Sequence, residues 1–276
     1  MRRRKLWTVI VLSVFSILFL YPLLWLISSS FKPNADIFSS ISLWPREFVW
    51  DAYARGWQGV GRTNFSTFFG NTLLLVIPVV VLTAASSLLV AYGFARFKFR
   101  GKGLLFTLMI STLMLPDAVI MIPRYLLFKE FNWLNTYLPF YVPALLAVNA
   151  FFVFLLVQFL RGIPRDLDEA AVIDGCNSFG ILVRVLIPLA APALVSVCIF
   201  QFIWTWNEFF TALIYINSVS KYTVALGLRM VLDNEGAVNW NQVMAMSVVT
   251  ILPCIAVFFM AQKYFVEGIA TTGLKG

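Results

Sequence analysis

Residues 163–192 read IPRDLDEAAVIDGCNSFGILVRVLIPLAAP and lie between two long apolar runs. The chain has 276 residues, of which 61% are hydrophobic and 12% are charged, whereas soluble domains carry about 25% charge. This composition predicts an all-α, polytopic membrane protein, because helices satisfy every backbone polar group without water. A membrane β-barrel would show alternating strands of about 10 residues, and the apolar stretches here are continuous. The quoted stretch is therefore predicted to be a polar loop between two membrane helices.

A short helix is predicted at the start of this loop. Pro164 cannot continue the preceding helix. Asp166 is placed to cap a new one, with Glu169 as its capping-box partner three residues later. The helix is expected to cover about residues 167–174 and to end at Gly175, because glycine suits the left-handed position after a helix.

One face of the predicted loop helix is suited to contact with another protein. At i, i+3, i+4 and i+7 this face carries Leu167, Ala170, Ala171 and Asp174. The two alanine side chains are small enough for the backbone to approach another surface closely. Asn177 or Ser178 is expected to cap a second short helix that stops before Pro188. From these residues alone, an ordinary amphipathic loop helix is the alternative.

Six charge-poor runs are long enough to cross a membrane, which takes about 20 residues. They lie within residues 6–31, 68–94, 104–127, 131–160, 185–215 and 236–262. The third run is interrupted by Asp117, and Pro116 and Pro123 are expected to kink it. A cleaved signal peptide is the alternative for the first run. That run is longer than the ~7–15 residues of a signal-peptide core and shows no A-x-A cleavage site.

Lysine and arginine predict that both termini are cytoplasmic. The tip Met1–Lys5 and the short segment 96–102 are dense in basic residues, and the alternate segments are longer and poorer in them. We therefore expect an N-in/C-in topology with the quoted loop, Lys98 and Lys275 inside. Residues 32–66 are expected outside, folded on the membrane surface.

Residue usage argues against several other functions. The net charge of +8 could indicate nucleic-acid binding, but the basic residues cluster at the ends of the apolar runs. The chain has no histidine, which removes histidine acid–base catalysis and histidine metal sites. Its three cysteines lack metal-ligand spacing and are expected to act as small buried hydrophobes. No GxxxxGK[ST] pattern occurs, so the chain is not expected to bind ATP through a P-loop of its own.

Two apolar runs carry candidate residues for a path through the membrane. Asp117 lies within the third run, and a carboxylate there is expected to face the bundle interior or water. Arg124 shares its helical face but lies about 10 Å along the axis, too far for a direct pair. The fifth run carries side chains suited to a sugar, namely Gln201, Trp204, Asn207 and Glu208. The alternatives are a polar packing contact for Asp117 and an interfacial aromatic belt for Trp204 and Trp206.

The loop resembles the EAA loop of ABC importer permeases, with Gly175 six residues after Glu169 and Pro188 thirteen residues after the glycine. The whole chain resembles the maltose-type carbohydrate-uptake branch of these binding-protein-dependent inner membrane components. The matching stretches are Asn71-Thr72, AYGFARFKFRGK at 91–102, LMLPDAVIMIPRYLLF at 113–128, FFVFLLVQFLRGIPRDLDEAAVIDG at 151–175, Trp206-Asn207-Glu208-Phe209 and GIATTGLKG at 268–276. Val185, Ile187 and Cys176 depart mildly from the family's usual Ile, Leu and Ala.

The resemblance implies a type I ABC importer transmembrane fold in a bacterial or archaeal cytoplasmic (inner) membrane. It implies a second, homologous permease, two ATP-binding subunits that hold ATP and Mg²⁺, and an extracytoplasmic sugar-binding protein. The EAA loop would dock on an ATP-binding subunit, with the coupling residues Leu167, Glu169, Ala170, Ala171, Asp174, Gly175 and Pro188. No catalytic residue, metal or bound cofactor is expected on this chain.

The resemblance also implies a division of the chain into three parts. Residues 1–66 are expected to form a cytoplasmic tip, the first membrane helix and an outer loop. Residues 67–265 are expected to form the transmembrane domain proper, with the cytoplasmic EAA loop at 161–190. Residues 266–276 are expected to be a cytoplasmic tail.

Two other functions compete with the importer permease. An ion-coupled secondary transporter of a small polar solute usually has intramembrane ionisable relays and inverted repeats. Only Asp117 and Glu208 qualify as such relays, and no repeat is visible. A membrane-embedded enzyme is the other alternative, but the sequence offers it no histidine, nucleophile motif or ligand cluster.

Overall fold

The computed structural model describes residues 2–59, 63–232 and 238–273, and the side chains of 6–59, 63–232 and 238–262. The predicted positions of Lys275 and of the end of the 266–276 tail lie outside the described residues. In the described ranges the regular elements are helices: α1 (Arg2–Ser29), α2 (Asp51–Gln58), α3 (Phe65–Arg96), α4 (Lys102–Thr112), α5 (Asp117–Glu130), α6 (Leu138–Leu145), α7 (Ala150–Gly162), α8 (Asp166–Ile173), α9 (Ser178–Ile181), a π-helical turn (Leu182–Leu186), α10 (Ile187–Leu189), α11 (Ala191–Trp206), α12 (Phe210–Tyr215), α13 (Val224–Leu232) and α14 (Trp240–Gly273). The predicted all-α class is confirmed.

Long apolar helices provide the predicted membrane spans. Four in the described ranges are long and apolar enough to cross alone: Leu6–Ser29, Phe65–Arg96, Leu138–Gly162 and Trp240–Gln262. Two further spans are possible if each of two sharply bent helix pairs crosses once. The count of six therefore stays a prediction that depends on the bent pairs.

The third run is broken rather than kinked. Helices α4 and α5 meet at 102°, in place of the single helix predicted over 104–127. The break falls at Pro116, whose φ of −64° and ψ of 132° are extended. Proline has no N–H to continue the helix and keeps the preceding residue out of the α conformation. Pro123, by contrast, lies inside α5.

The fifth run also differs from its prediction. A helical segment starts at Ser178 and continues through Pro188 to Leu189, so the second loop helix does not stop before the proline. The π-helical turn over Leu182–Leu186 ends two residues before Pro188, and such a turn relaxes the backbone pattern that proline interrupts. The chain then bends by 77° into α11. The run ends at Trp206, and α12 is a separate helix.

The chain divides into two compact units, of which the first comprises residues 1–69 and 223–253. In this unit Asn34 joins the end of α1 to the start of α14: its Oδ1 accepts from the Asn241 backbone N–H at 3.0 Å, and its amide donates to Asn239 at 3.1 Å. The described residues of the segment 32–66 are folded, and their predicted position outside the membrane stays a prediction. This segment carries α2, an aromatic cluster around Phe31, and the buried Lys32, whose Nζ donates to the Ser42 carbonyl at 2.6 Å.

The second unit comprises residues 70–222 and 254–276. Its core is formed by the second half of α3, by α7, and by the segment from α9 to α11. Leu156, Leu160 and Leu186 have no solvent exposure. At one end of the unit the Asn71 amide donates to the Ser220 and Tyr222 carbonyls at 2.8 and 3.0 Å, and at the other end Tyr92 and Arg96 meet the polar loop.

The topology predicts opposite labelling at two exposed positions. In a variant without the native cysteines, Lys98→Cys is expected to be protected from a membrane-impermeant maleimide added outside intact cells. Ile41→Cys, at a position that is 88% exposed in the predicted outer segment 32–66, is expected to react. Both cysteines should react after permeabilisation. External labelling of Lys98→Cys would contradict the N-in arrangement.

Candidate functional site: a loop helix and a cavity at broken helices

The loop helix α8 ends at the predicted glycine. Gly175 has a φ of +82°, the left-handed conformation that glycine adopts without steric cost. Its N–H donates to the Val172 carbonyl at 3.0 Å, and the Cys176 N–H donates to the Ala171 carbonyl at 2.9 Å. This pair of bonds is the Schellman arrangement, which fixes where the helix stops. The predicted helix end is confirmed.

The predicted capping box at the start of α8 is wrong. Arg165 occupies the cap position with helical angles, and no side chain caps the helix. The helix therefore begins one residue earlier than predicted, with Asp166 inside its first turn. Asp166, Asp168 and Glu169 all lie in that turn, where negative charge interacts favourably with the helix dipole.

The predicted outward face of α8 is exposed at Leu167, Ala170 and Asp174 but not at Ala171. Ala171 is only 7% exposed and belongs to the core of the second unit, so it packs against this chain. Ala170 is exposed, as are Val172 at 59% and Ile173 at 86%. Ala171 faces inward because it lies one turn after Asp168, whose carboxylate is held by Arg96.

Three residues near the end of α3 hold the loop through four contacts. Arg96 Nε lies 2.7 Å from Asp168 Oδ2, and its Nη2 donates to the Ile163 carbonyl at 3.1 Å. Arg165 Nη2 donates to the Ala95 carbonyl at 3.2 Å. Tyr92 Oη donates to the Ser178 carbonyl at 2.9 Å. Sequence reasoning missed these contacts, although Arg96 lies in the quoted stretch 91–102.

The loop continues as the sequence predicts after Gly175. Asn177 caps α9, with its Oδ1 accepting from the Gly180 N–H at 2.7 Å. Phe179 is 69% exposed, so this second turn adds a large apolar side chain to the loop surface. Pro188 is exposed and lies at the end of the segment, just before the 77° bend.

A cavity of about 1200 Å³ lies within the second unit, at interruptions in three helical segments. Leu113 and Leu115 come from the break between α4 and α5, and Leu146 and Val148 from the break between α6 and α7. Glu208 comes from the break between α11 and α12. Backbone that leaves the helix at membrane depth is tolerated where it lines a cavity.

Four of the five predicted path residues line this cavity: Asp117, Gln201, Trp204 and Glu208. Asn207 does not. It ends α11, and its amide donates to the Ile203 carbonyl at 2.8 Å. Arg124 also lines the cavity. Asp117 is exposed at the first position of α5.

The cavity combines aromatic surfaces with polar groups. The Trp204 ring packs against Phe151 and Phe152 at centroid distances of 5.5 and 5.0 Å, so its position is fixed while 45% of the residue remains exposed. Gln201 Nε2 donates to Thr205 Oγ1 at 2.7 Å, and Glu208 Oε1 accepts from the Thr211 backbone N–H at 2.9 Å. Trp206 is only 2% exposed, so it does not form an interfacial belt.

These features define a membrane transport subunit: apolar spanning helices, a polar loop helix with an exposed apolar surface, and a cavity at broken helices. Residues 87–271 match the family model of the binding-protein-dependent transport system inner membrane component. The chain belongs to this family of ABC importer permease subunits, which are multi-pass proteins of the inner membrane.

The chain is similar to proteins of carbohydrate transport systems over nearly its whole length. It is 34% identical to the arabinooligosaccharides transport system permease protein AraQ of Halalkalibacterium halodurans, covering 93% of this chain and 91% of the relative. It is 29% identical to the trehalose/maltose transport system permease protein MalG of Thermococcus litoralis, covering 95% and 93%. Among solved structures, it matches a bacterial ABC transporter involved in the import of the acidic polysaccharide alginate with a TM-score of 0.84 and 25% identity, covering 96% of this chain and 97% of that chain.

Proposed function

We propose that this permease subunit, with a second permease, forms the path for a carbohydrate that an extracytoplasmic binding protein delivers. Two partner subunits would bind and hydrolyse ATP and would dock on the loop 161–190. The observation that carries this proposal is helix α8, which ends in a fixed glycine turn and presents exposed apolar residues next to a polar, charged turn. The membership of the chain in the family of ABC importer permease subunits supports the same role.

The exposed surface of α8 and α9 supports a docking role. Leu167, Val172, Ile173 and Phe179 are each at least 42% exposed. Such apolar side chains on an otherwise polar loop mark a site for another protein. Glu169 and Ala170 are exposed beside Ile173. Asp174 is exposed at the end of the same helix. Ala171 and Gly175 contribute in a different way, because Ala171 packs α8 against this chain and Gly175 ends the helix.

The cavity supports a carbohydrate as the cargo. Sugars present C–H surfaces that pack on aromatic rings and hydroxyl groups that bond to amides and carboxylates. Trp204 offers the ring, and Gln201, Asp117 and Glu208 offer the polar groups. The named relatives act on arabinooligosaccharides and on trehalose or maltose, which supports the same class of substrate here.

The division of labour between the subunits completes the proposal. ATP and Mg²⁺ belong to the partner subunits, and this chain contributes no catalytic residue and no cofactor site. Residues 67–265 would form the transmembrane domain proper. The tip and outer loop within 1–66 would precede it, and the tail 266–276 would follow it on the cytoplasmic side.

Transport in vesicles tests the proposed function directly. Proteoliposomes that contain both permeases and the ATP-binding subunits are expected to take up sugar only with loaded binding protein and ATP. An imposed pH gradient without ATP is expected to give no uptake. Uptake driven by the pH gradient alone would support the ion-coupled alternative and contradict the proposal.

The cavity residue Asp117 gives a prediction about transport kinetics. Asp117→Ala is expected to raise the sugar concentration for half-maximal uptake by about tenfold, because hydrogen bonds to a charged group contribute about 1.5–3 kcal/mol. The amount of assembled complex should not change, since Asp117 is exposed. Glu130→Ala is the matched control, because Glu130 is an exposed acid at the far end of the same helix. Normal kinetics in Asp117→Ala, Asp117→Asn and Asp117→Leu would dismiss a path role.

A further inference from the structure

We propose that Arg96 and Asp168 are positioning residues that make the loop helix α8 and helix α3 move together, so that α3 carries the movement of the loop to the cavity. This inference rests on the proposed function, in which an ATP-binding subunit docks on α8. It identifies α3 as the helix of this chain that is displaced when α8 moves.

The guanidinium of Arg96 fixes α8 from two directions. Its Nε lies 2.7 Å from the Asp168 carboxylate, and its Nη2 donates to the Ile163 carbonyl at 3.1 Å. One rigid, planar group thus holds both the helix and the turn that precedes it. Lysine could not reproduce this arrangement, because its charge is a single point on a flexible stem.

The pair is shielded from solvent, which favours its persistence. The Arg96 side chain is 7% exposed and the Asp168 side chain is 19% exposed. A charge buried this deeply is unfavourable without its partner. Separating α3 from α8 would therefore leave each charge either exposed to solvent or buried without a partner. Arg165 and Tyr92 add contacts on either side of the pair, at the Ala95 and Ser178 carbonyls.

Helix α3 runs without interruption from the Arg96–Asp168 pair to the cavity. Val79 and Thr83 line the cavity, and Arg96 is the last residue of the same helix. The 13 residues from Thr83 to Arg96 span about 20 Å at 1.5 Å per residue. The one proline inside α3 is Pro78, which lies before this segment. By contrast, the helical segment Ser178–Leu189 after the loop meets α11 at 77°, so the route to the cavity through α11 is bent.

The ratio of ATP hydrolysed to sugar taken up tests the proposal in the complete transporter. Asp168→Asn and Arg96→Lys are expected to raise this ratio by about fivefold, the scale on which coupling residues act. The ATP-binding subunits should still co-purify, because the exposed face with Val172 and Ile173 is unchanged. Two matched controls repeat the substitutions at exposed positions: Asp166→Asn on the same helix and Arg100→Lys beyond the end of α3. Both controls should stay within about twofold of the wild type.

The alternatives give different results. If the pair only stabilises the fold, both variants will lower the amount of assembled complex while the ratio per complex stays at the wild-type value, and the proposal is overturned. An unchanged ratio with unchanged assembly overturns it as well. A failure of the proposed function is distinguishable, because wild-type vesicles would then show no uptake that depends on ATP.

Discussion

Gly175→Val is expected to abolish ATP-driven uptake while the permease remains inserted in the membrane. Gly175 has a φ of +82°, and a Cβ added there would meet no atom within 4 Å. The damage therefore comes from backbone conformation alone, because a β-branched residue in the left-handed region costs about 1–2 kcal/mol. Relief of this strain would undo the two hydrogen bonds that end α8 and would turn the exposed Ile173 away from its partner.

Gly101→Val is the matched control for this prediction. Gly101 has a φ of +78° and is equally free of neighbours, so valine there imposes the same kind of strain at the start of α4. Uptake and ATP hydrolysis stimulated by loaded binding protein should both fall for Gly175→Val and be largely retained for Gly101→Val. Equal losses in the two variants would show that the effect is general strain. Normal coupling in Gly175→Val would show that this loop is not the coupling element.

Ile173→Asp is expected to release the ATP-binding subunits. Ile173 is 86% exposed at the last position of α8, and a fully buried isoleucine contributes about 1.5–3 kcal/mol. Loss of that contact alone weakens association by about 10- to 100-fold, and burying a carboxylate in its place weakens it further. Co-purification of the ATP-binding subunits with the membrane pair measures the effect.

Two variants separate loss of the contact from damage to the helix. Ile173→Leu keeps a side chain of the same size and should retain the ATP-binding subunits. Ile41→Asp changes an isoleucine that is 88% exposed in the segment 32–66, which is predicted to lie on the other side of the membrane, and should leave their association unchanged. Retention of the subunits by Ile173→Asp would place the docking surface elsewhere on the chain.

The parts of the site that depend on local chemistry were predictable from the sequence. Gly175 ends α8 and Asn177 caps α9 because backbone and side chain bond within a few residues. Pro116 interrupts the third run for the same kind of reason, although a 102° bend is far larger than the predicted kink. In each of these cases the residues that determine the local structure lie within one helical turn of each other.

The parts that depend on distant partners were not predictable. Which face of α8 points inward is decided by Arg96, which lies far from Asp168 in the sequence. The break before α7 has no proline or glycine: Ala147 has a φ of 53°, and Ser86 Oγ from α3 donates to the Ala144 carbonyl at 2.6 Å. A pattern within one stretch of sequence cannot reveal these contacts, because the residues that make them lie on other helices.

The three helix interruptions around the cavity have a consequence for what happens when the path loses its water. Peptide groups that leave a helix in a hydrocarbon environment need hydrogen-bond partners, and at each interruption the chain supplies one. The Leu115 N–H donates to the Thr112 carbonyl at 3.2 Å, the Val148 N–H to the Pro143 carbonyl at 3.1 Å, and the Glu208 N–H to the Thr205 carbonyl at 3.3 Å. Removing water from the cavity would therefore not leave these three N–H groups without partners.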